Sequence, residues 1–210
     1  MYLSHRNQFA GDMRDPFAPR FWRTRWAEPL EQRRPSGIFT VNMGELFGDW
    51  VPETTQQLLF NVIKECPQHR FYLLTKQPQN LANLNPFPSN CWVGATATNT
   101  EQYKQALVGL RAVKAKVKYI SFEPLLEYIP INPPYDLDDL NWVIIGGKSG
   151  KDKFYPPEEW IKEIEKAADK VRIPVFEKDN LREVLWTRNN LYGNYQIWYK
   201  YPRREMPGGM

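Results

Sequence analysis

The side chains in this sequence best suited to chemistry stand just after short apolar runs. They are Asn42, Gly44 and Glu45; Thr75 and Lys76; Thr96, Thr98 and Asn99; Glu123; Gly146, Gly147, Lys148 and Ser149; and Glu177, Lys178 and Asp179. A carboxylate such as Glu45, preceded by a glycine, can accept hydrogen bonds from a ligand amino group. Lys76 and Lys178 can hold a phosphate or a carboxylate, or can pair with Glu123 or Glu177 instead. Acids and ammonium groups gathered in one place need mutual pairing or a polar ligand, because burying each alone costs several kcal/mol. Taken singly, each can equally cap a helix or satisfy a loop backbone. Taken as a set, they are expected to line a ligand site.

Several chemistries are excluded by spacing. Gly146-Gly147-Lys148-Ser149-Gly150 is half of a phosphate loop, but it lacks the GxxxxGK(S/T) spacing of an NTPase. With two cysteines and two histidines there is no CxxC pair, no HExxH helix, and hence no protein-only zinc site or disulfide framework. Cys66, on the inner face of a helix, and Cys91, opening a strand, are expected to be core thiols, and His69, in a helix-to-strand turn, is expected at the surface.

The elements that must position these residues repeat one pattern: an apolar run, a polar turn, and an amphipathic segment at helical spacing, as parallel βα units do. The runs are Ile38–Val41, Phe71–Leu74, Cys91–Ala95, Val117–Phe122, Trp142–Ile145 and Ile173–Phe176. Helices are predicted from Pro52, with Leu58, Leu59, Val62, Ile63 and Cys66 inward; over Gln79–Leu84; after an N-cap at Thr100, with Tyr103, Ala106, Leu107 and Leu110 on one stripe; and from Pro157, burying Trp160, Ile161, Ile164 and Ala168. The stretch after Glu123, through Pro133 and Pro134, is too rich in proline for a helix. None of the runs alternates strictly, so the strands are expected to be covered on both faces, with the ligand site at their C-terminal ends.

The bulk numbers fit one α/β domain. The chain has 210 residues, 42% of them hydrophobic and 25% charged, and its eight tryptophans exceed what a disordered chain carries. One domain is expected over 1–210, with an N-terminal arm over about 1–36 and an aromatic and basic tail over about 183–210. The net charge of +4 allows a nucleic-acid partner without requiring one. Basic clusters at Arg20, Arg23 and Arg25, at Arg33 and Arg34, and at Lys200, Arg203 and Arg204 have Trp22, Trp26, Tyr199 and Tyr201 as neighbours. These aromatics can stack on bases or simply cover the fold. There is no apolar run of about 18 residues and no charged-then-apolar leader, so no membrane partner and a cytoplasmic location are expected.

Six segments, NMGELFGDWVP, CPQHRFYLLTKQPQNL, CWVGATATN, YISFEPLLEYI, LNWVIIGGKSG and IPVFEKDNL, occur in an order and spacing that resembles an uncharacterised phage-associated family, the three-cysteine-motif phage proteins. The resemblance covers roughly residues 16 to 182. Those proteins look like radical-SAM enzymes, so the resemblance implies a parallel (β/α) partial barrel of that type with about six strands. In complete members a three-cysteine loop after the first strand binds a 4Fe–4S cluster that coordinates S-adenosylmethionine. Here MYLSHRNQFAGDMRDPF resembles the segment just after the last of those cysteines, so the first strand and the cluster loop are expected to be missing. The family's FHPERL-like stretch is FWRTRW here, without the histidine.

Carried over by residue, the resemblance implies that Asn42, Gly44 and Glu45 meet the methionine amino end of S-adenosylmethionine. Thr96, Thr98, Asn99 and Glu123 would line the centre, and Gly146 and Gly147 would admit the adenosine to bare backbone. Lys76, Lys148, Glu177, Lys178 and Asp179 would face substrate or the cofactor carboxylate. The expected function is a radical-SAM-like protein acting on an unidentified substrate, with nucleic acid a candidate, and inactive in this form for want of cluster ligands. The alternatives are a non-catalytic nucleotide- or nucleic-acid-binding protein and a truncated phage gene product. The oligomeric state is not encoded in these motifs.

Overall fold

A computed structural model describes residues 25–41, 44–187 and 202–208, without the side chains of Trp186 and Thr187. Asn42, the expected arm as far as residue 24, and residues 188–201 of the expected tail lie outside the described residues. Six strands lie side by side in chain order: β1 (Gly37–Phe39), β2 (Arg70–Thr75), β3 (Cys91–Thr96), β4 (Val117–Phe122), β5 (Trp142–Ile145) and β6 (Val175–Glu177). Every pairing is parallel, and the sheet curls into a half barrel. The helices are α1 (Glu28–Glu31), α2 (Glu53–Glu65), α3 (Thr100–Arg111), α4 (Glu158–Val171) and α5 (Arg182–Thr187), with 3-10 turns over Pro78–Leu84 and Asp179–Leu181. Between β4 and β5 no helix forms, as the prolines there dictate.

Absence of alternation in the sequence corresponds to strands buried on both faces: β3, β4 and β5 are buried at every position. On the outer face Leu73, Val93, Ile120, Val143 and Val175 pack against Phe60 and Ile63 of α2, Leu107 and Leu110 of α3, and Ile161 and Ile164 of α4. Each such side chain, fully buried, contributes roughly 1.5–3 kcal/mol.

The concave face is filled by rings. Trp142 lies 5.6 Å from Trp92, 5.4 Å from Tyr119 and 5.9 Å from Phe176, and Tyr72 lies 5.3 Å from Trp92. Gly94 makes room for this packing, since a Cβ there would sit 2.3 Å from the Tyr119 ring. The Tyr119 hydroxyl then donates to the Leu73 carbonyl at 3.1 Å, so its burial leaves no stranded polar group.

Residues 203–205 run antiparallel along β6 and cover that edge. The Glu177 N–H donates to the Arg203 carbonyl at 2.9 Å, and the Glu205 N–H donates to the Val175 carbonyl at 3.1 Å. No helix among the described residues is long and apolar enough to cross a membrane.

Four expectations are corrected. Leu58 is 49% exposed, because it lies two residues from both Gln56 and Phe60, about 200° around the helix from the face they define. The N-cap of α3 is Asn99 rather than Thr100; its side chain accepts from the Gln102 N–H at 2.8 Å. β6 begins at Val175 because Arg172, in the left-handed region at φ 60°, ends α4 and sends the Ile173 N–H back to the Ala168 carbonyl. His69 is 1% exposed. Its Nδ1 accepts from the Ser36 N–H at 3.2 Å, while its Nε2 donates towards the Gln32 carbonyl at 2.9 Å.

Candidate functional site

All six strands point the same way, so their exit loops share one rim of the half barrel. Side chains alternate along each strand, which brings Glu123 after Ser121, Gly146 after Ile144, and Lys178 after Phe176 onto the concave side. There the Lys178 ammonium pairs with the Glu123 carboxylate at 2.7 Å, and both side chains remain partly accessible, at 45% and 24%. A Cβ on Gly146 would lie 3.0 Å from Glu123 Cγ, so this glycine seats the acid.

Beside this pair, Asn180 clamps the loop after β5. Its amide donates to the Gly147 carbonyl at 2.7 Å and to the Ser149 hydroxyl at 3.1 Å, and its Oδ1 accepts the Gly147 N–H at 3.1 Å. The Leu125 N–H donates to the Gly146 carbonyl, and the Leu126 N–H donates to the Thr98 carbonyl, tying three exit loops together. Thr98 donates its hydroxyl to Gln102 Oε1 at 2.9 Å, and Thr96 is buried opposite Ser121 in the β3–β4 ladder. Glu127 accepts the Thr100 N–H at 2.6 Å, and this hydrogen bond holds its carboxyl below the usual range.

A second group forms at the exits of β1 and β2. Glu45 Oε1 accepts from the Phe47 N–H at 3.0 Å and the Thr75 hydroxyl at 2.8 Å, while Oε2 accepts from the Lys76 N–H at 2.8 Å. The carboxylate thus joins two loops and keeps one lone-pair direction on Oε2 for a ligand. Val41 leaves β1 at φ 54°, a left-handed conformation that a β-branched residue adopts only under constraint. The side chains of Lys76 and Lys148 are exposed.

Three expected members are not brought to the concave rim. Thr75 alternates onto the helix side with Leu73, is 1% exposed and donates its hydroxyl to Glu45. Glu177 alternates onto the helix side with Val175 and is fully buried, where its Oε2 accepts the Arg203 N–H at 2.9 Å. Asp179 points to the chain end, where it pairs with Arg204 and, at 3.3 Å, with Arg182. Asn180 was missed, although its place one residue beyond Asp179 in the same exit loop marked it for inclusion. The filled space over the two glycines also bears on how a ligand would lie. Above Gly147 stands the Phe154 carbonyl, 2.8 Å from where a Cβ would be, so neither Gly146 nor Gly147 presents bare backbone unless Glu123 or that loop moves.

Among the described residues no group of three or more His, Cys, Asp or Glu side chains could hold a metal ion. Cys66 and Cys91 are fully buried. Burial pushes the Cys91 thiol up to about 12 and raises that of Cys66 as well.

The fold and this rim define an α/β protein built on an all-parallel, six-stranded half barrel, with polar groups gathered where its strands end. The chain belongs to the family described as "Protein of unknown function (DUF5131)", which matches residues 3–186. No curated protein and no solved structure matches it.

Proposed function

We propose that the half barrel is of the radical-SAM type and binds S-adenosylmethionine across the rim of its sheet. The carrying observation is the accessible Glu123–Lys178 pair at the end of the concave face. An amino acid end, with one ammonium and one carboxylate, is the complement of such a pair: Lys178 takes the carboxylate, and Glu123 takes the amino group. The constrained backbone at Val41 supports the same reading, because strained residues concentrate at binding loops.

A 4Fe–4S cluster, where bound, supplies the electron that cleaves S-adenosylmethionine. The thiols here do not fit that group: there are two, both buried, and burial disfavours the thiolate that ligates iron. Ligand binding, rather than radical generation, is therefore the activity assigned to these residues. A second reading, nucleic-acid binding on the same rim, is favoured by Lys76 and Lys148. Both are exposed, and neither has a carboxylate within 4.0 Å among the described residues.

Calorimetric titration of S-adenosylmethionine into wild type, Glu123→Gln and Lys178→Met tests the first reading. Saturable heat is expected with wild type, and roughly tenfold weaker binding with each variant, the loss of one charge-assisted hydrogen bond. No heat with wild type, or affinity indifferent to both substitutions, refutes it. Salt-sensitive retention of a single-stranded oligonucleotide, lost in Lys76→Ala/Lys148→Ala, would favour the second.

A further inference from the structure

At the opposite end of the sheet, where the chain enters β3, β4 and β5, a cleft of about 670 Å3 opens. Arg111, Lys114, Lys116 and Lys118 line it against Asp138 and Asp139, a surplus of two positive charges. Both acids are committed: Asp139 to Lys118, and Asp138 to Arg111 at 3.4 Å. Lys114 and Lys116 have no carboxylate within 4.0 Å among the described residues.

The cleft is built rather than incidental. Lys114, Lys116 and Lys118 occupy alternate positions leading into β4, and the backbone is pinned at both ends of this stretch. The Lys114 N–H donates to Asn85 Oδ1 at 2.7 Å, and the Phe87 N–H donates to the Lys114 carbonyl at 3.0 Å. The Lys118 N–H donates to Asn141 Oδ1 at 2.8 Å, and the Asn141 N–H returns to the Lys118 carbonyl at 2.8 Å. Lys118 itself is the informative residue. Its side chain is only 9% exposed, yet of its three ammonium N–H groups Asp139 engages one, and no other partner stands among the described residues. The remaining donors of this ammonium, whose stem is fixed by the packing around it, are available to an acceptor-rich group in the cleft.

We infer that this cleft binds a phosphate group, free or esterified. Free phosphate or a monoester supplies about two negative charges and at least three strong acceptor oxygens, and successive diester linkages supply one charge and two acceptor oxygens each; either meets the surplus charge and the open donors of Lys114, Lys116 and Lys118. The site lies at the far end of the strands from the rim and does not depend on the proposed S-adenosylmethionine binding.

Inorganic phosphate and a short single-stranded oligonucleotide, each titrated at a series of fixed ionic strengths, test this in wild type, Lys114→Ala/Lys116→Ala and Lys114→Arg/Lys116→Arg. A Lys151→Ala/Lys153→Ala control removes two exposed lysines from the other end. The alanine pair is expected to bind at least about tenfold more weakly, while the arginine pair and the control keep wild-type affinity. Binding of inorganic phosphate identifies a free phosphate or a monoester. Binding of the oligonucleotide alone, with a salt dependence that flattens in the alanine pair, identifies a phosphodiester backbone. Failure of both ligands to bind wild type, or equal affinity in wild type and the alanine pair, overturns the inference. Both replaced lysines are exposed, so thermal melting of the alanine pair should stay near that of wild type and confirms that lost binding is not lost fold.

Discussion

Glu45 was marked in the sequence as an acceptor, and acceptance is what it does in the fold, although the donors are the protein's own. Two of its three hydrogen bonds satisfy the backbone N–H groups of Phe47 and Lys76. Glu45→Ala leaves those amides without acceptors and is expected to lower stability by about 2–3 kcal/mol, with Glu45→Gln losing less because its carbonyl still accepts. A fall in the urea midpoint at constant m-value would report it, and an unchanged midpoint would show the brace to be idle. The type of each residue was legible, but the partners were not: Thr75 and Lys76 stand 30 and 31 positions away from Glu45, beyond any local pattern. His69 shows the same limit, because the turn that suggested exposure is covered by residues 33 to 40 positions upstream. Cysteine was easier, since small apolar positions in a helix and a strand are core positions whatever the topology. Fully buried, with the thiol of Cys91 raised to about 12, neither cysteine should be alkylated by iodoacetamide at pH 8 faster than the chain unfolds. Modification of either within seconds under native conditions would contradict this burial.

Elements were legible where hydrophobicity alone sets them. β4 and β5 match their runs residue for residue, because a strand buried on both faces is mostly apolar, and the two polar residues of β4 are accommodated: Lys118 pairs with Asp139, and Ser121 lies opposite Thr96. Ends fixed by backbone geometry were not legible, as Arg172 and Val41 show, since positive φ at residues other than glycine leaves no compositional mark. The inner packing was likewise hidden. A glycine in the third run suggests a close approach, but nothing in the sequence says that the Tyr119 ring makes it. Gly94→Ala is expected to cost about 3 kcal/mol or more, since the new methyl group meets the ring at 2.3 Å and the neighbouring aromatic side chains leave it little room. The double variant Gly94→Ala/Tyr119→Leu should recover part of that loss. A double-mutant cycle with coupling near zero would mean that ring and glycine do not share the space.

On the scale of the whole molecule, the half barrel has two sheet edges, and the described chain end covers one of them. Through this strap residues 203–205 hold β6, β5 and α4 together. Val175 donates its N–H to Glu205 Oε2 at 3.0 Å, Trp142 donates its indole N–H to the Glu205 carbonyl at 2.9 Å, and Arg203 bonds both Asp169 and Glu205. The hydrogen bond from Arg203 is the main reason the Glu205 carboxyl lies below its usual value of 4.5, with the Val175 N–H adding to it. A carboxylate depressed on folding adds stability that is present above the unfolded value and lost as pH falls through the lower folded value. Acidification below about 4.5 should therefore loosen the strap, and Glu205→Gln should remove this part of the acid limb in urea midpoints measured from pH 6 to 3. At one fixed pH, Arg203→Ala should speed hydrogen exchange at the Val175 and Glu177 amides, which the strap holds, and leave the Val143 amide, bonded to Pro174, unchanged. Exchange accelerated equally at all three would mean that the strap shares the global unfolding of the sheet. Exchange unchanged at Val175 would mean that Glu205 holds its place without Arg203. The expected selective loss instead makes β6 an edge that opens on its own, and with it the seat of Lys178, whose backbone N–H is bonded to the Ile145 carbonyl next to that edge.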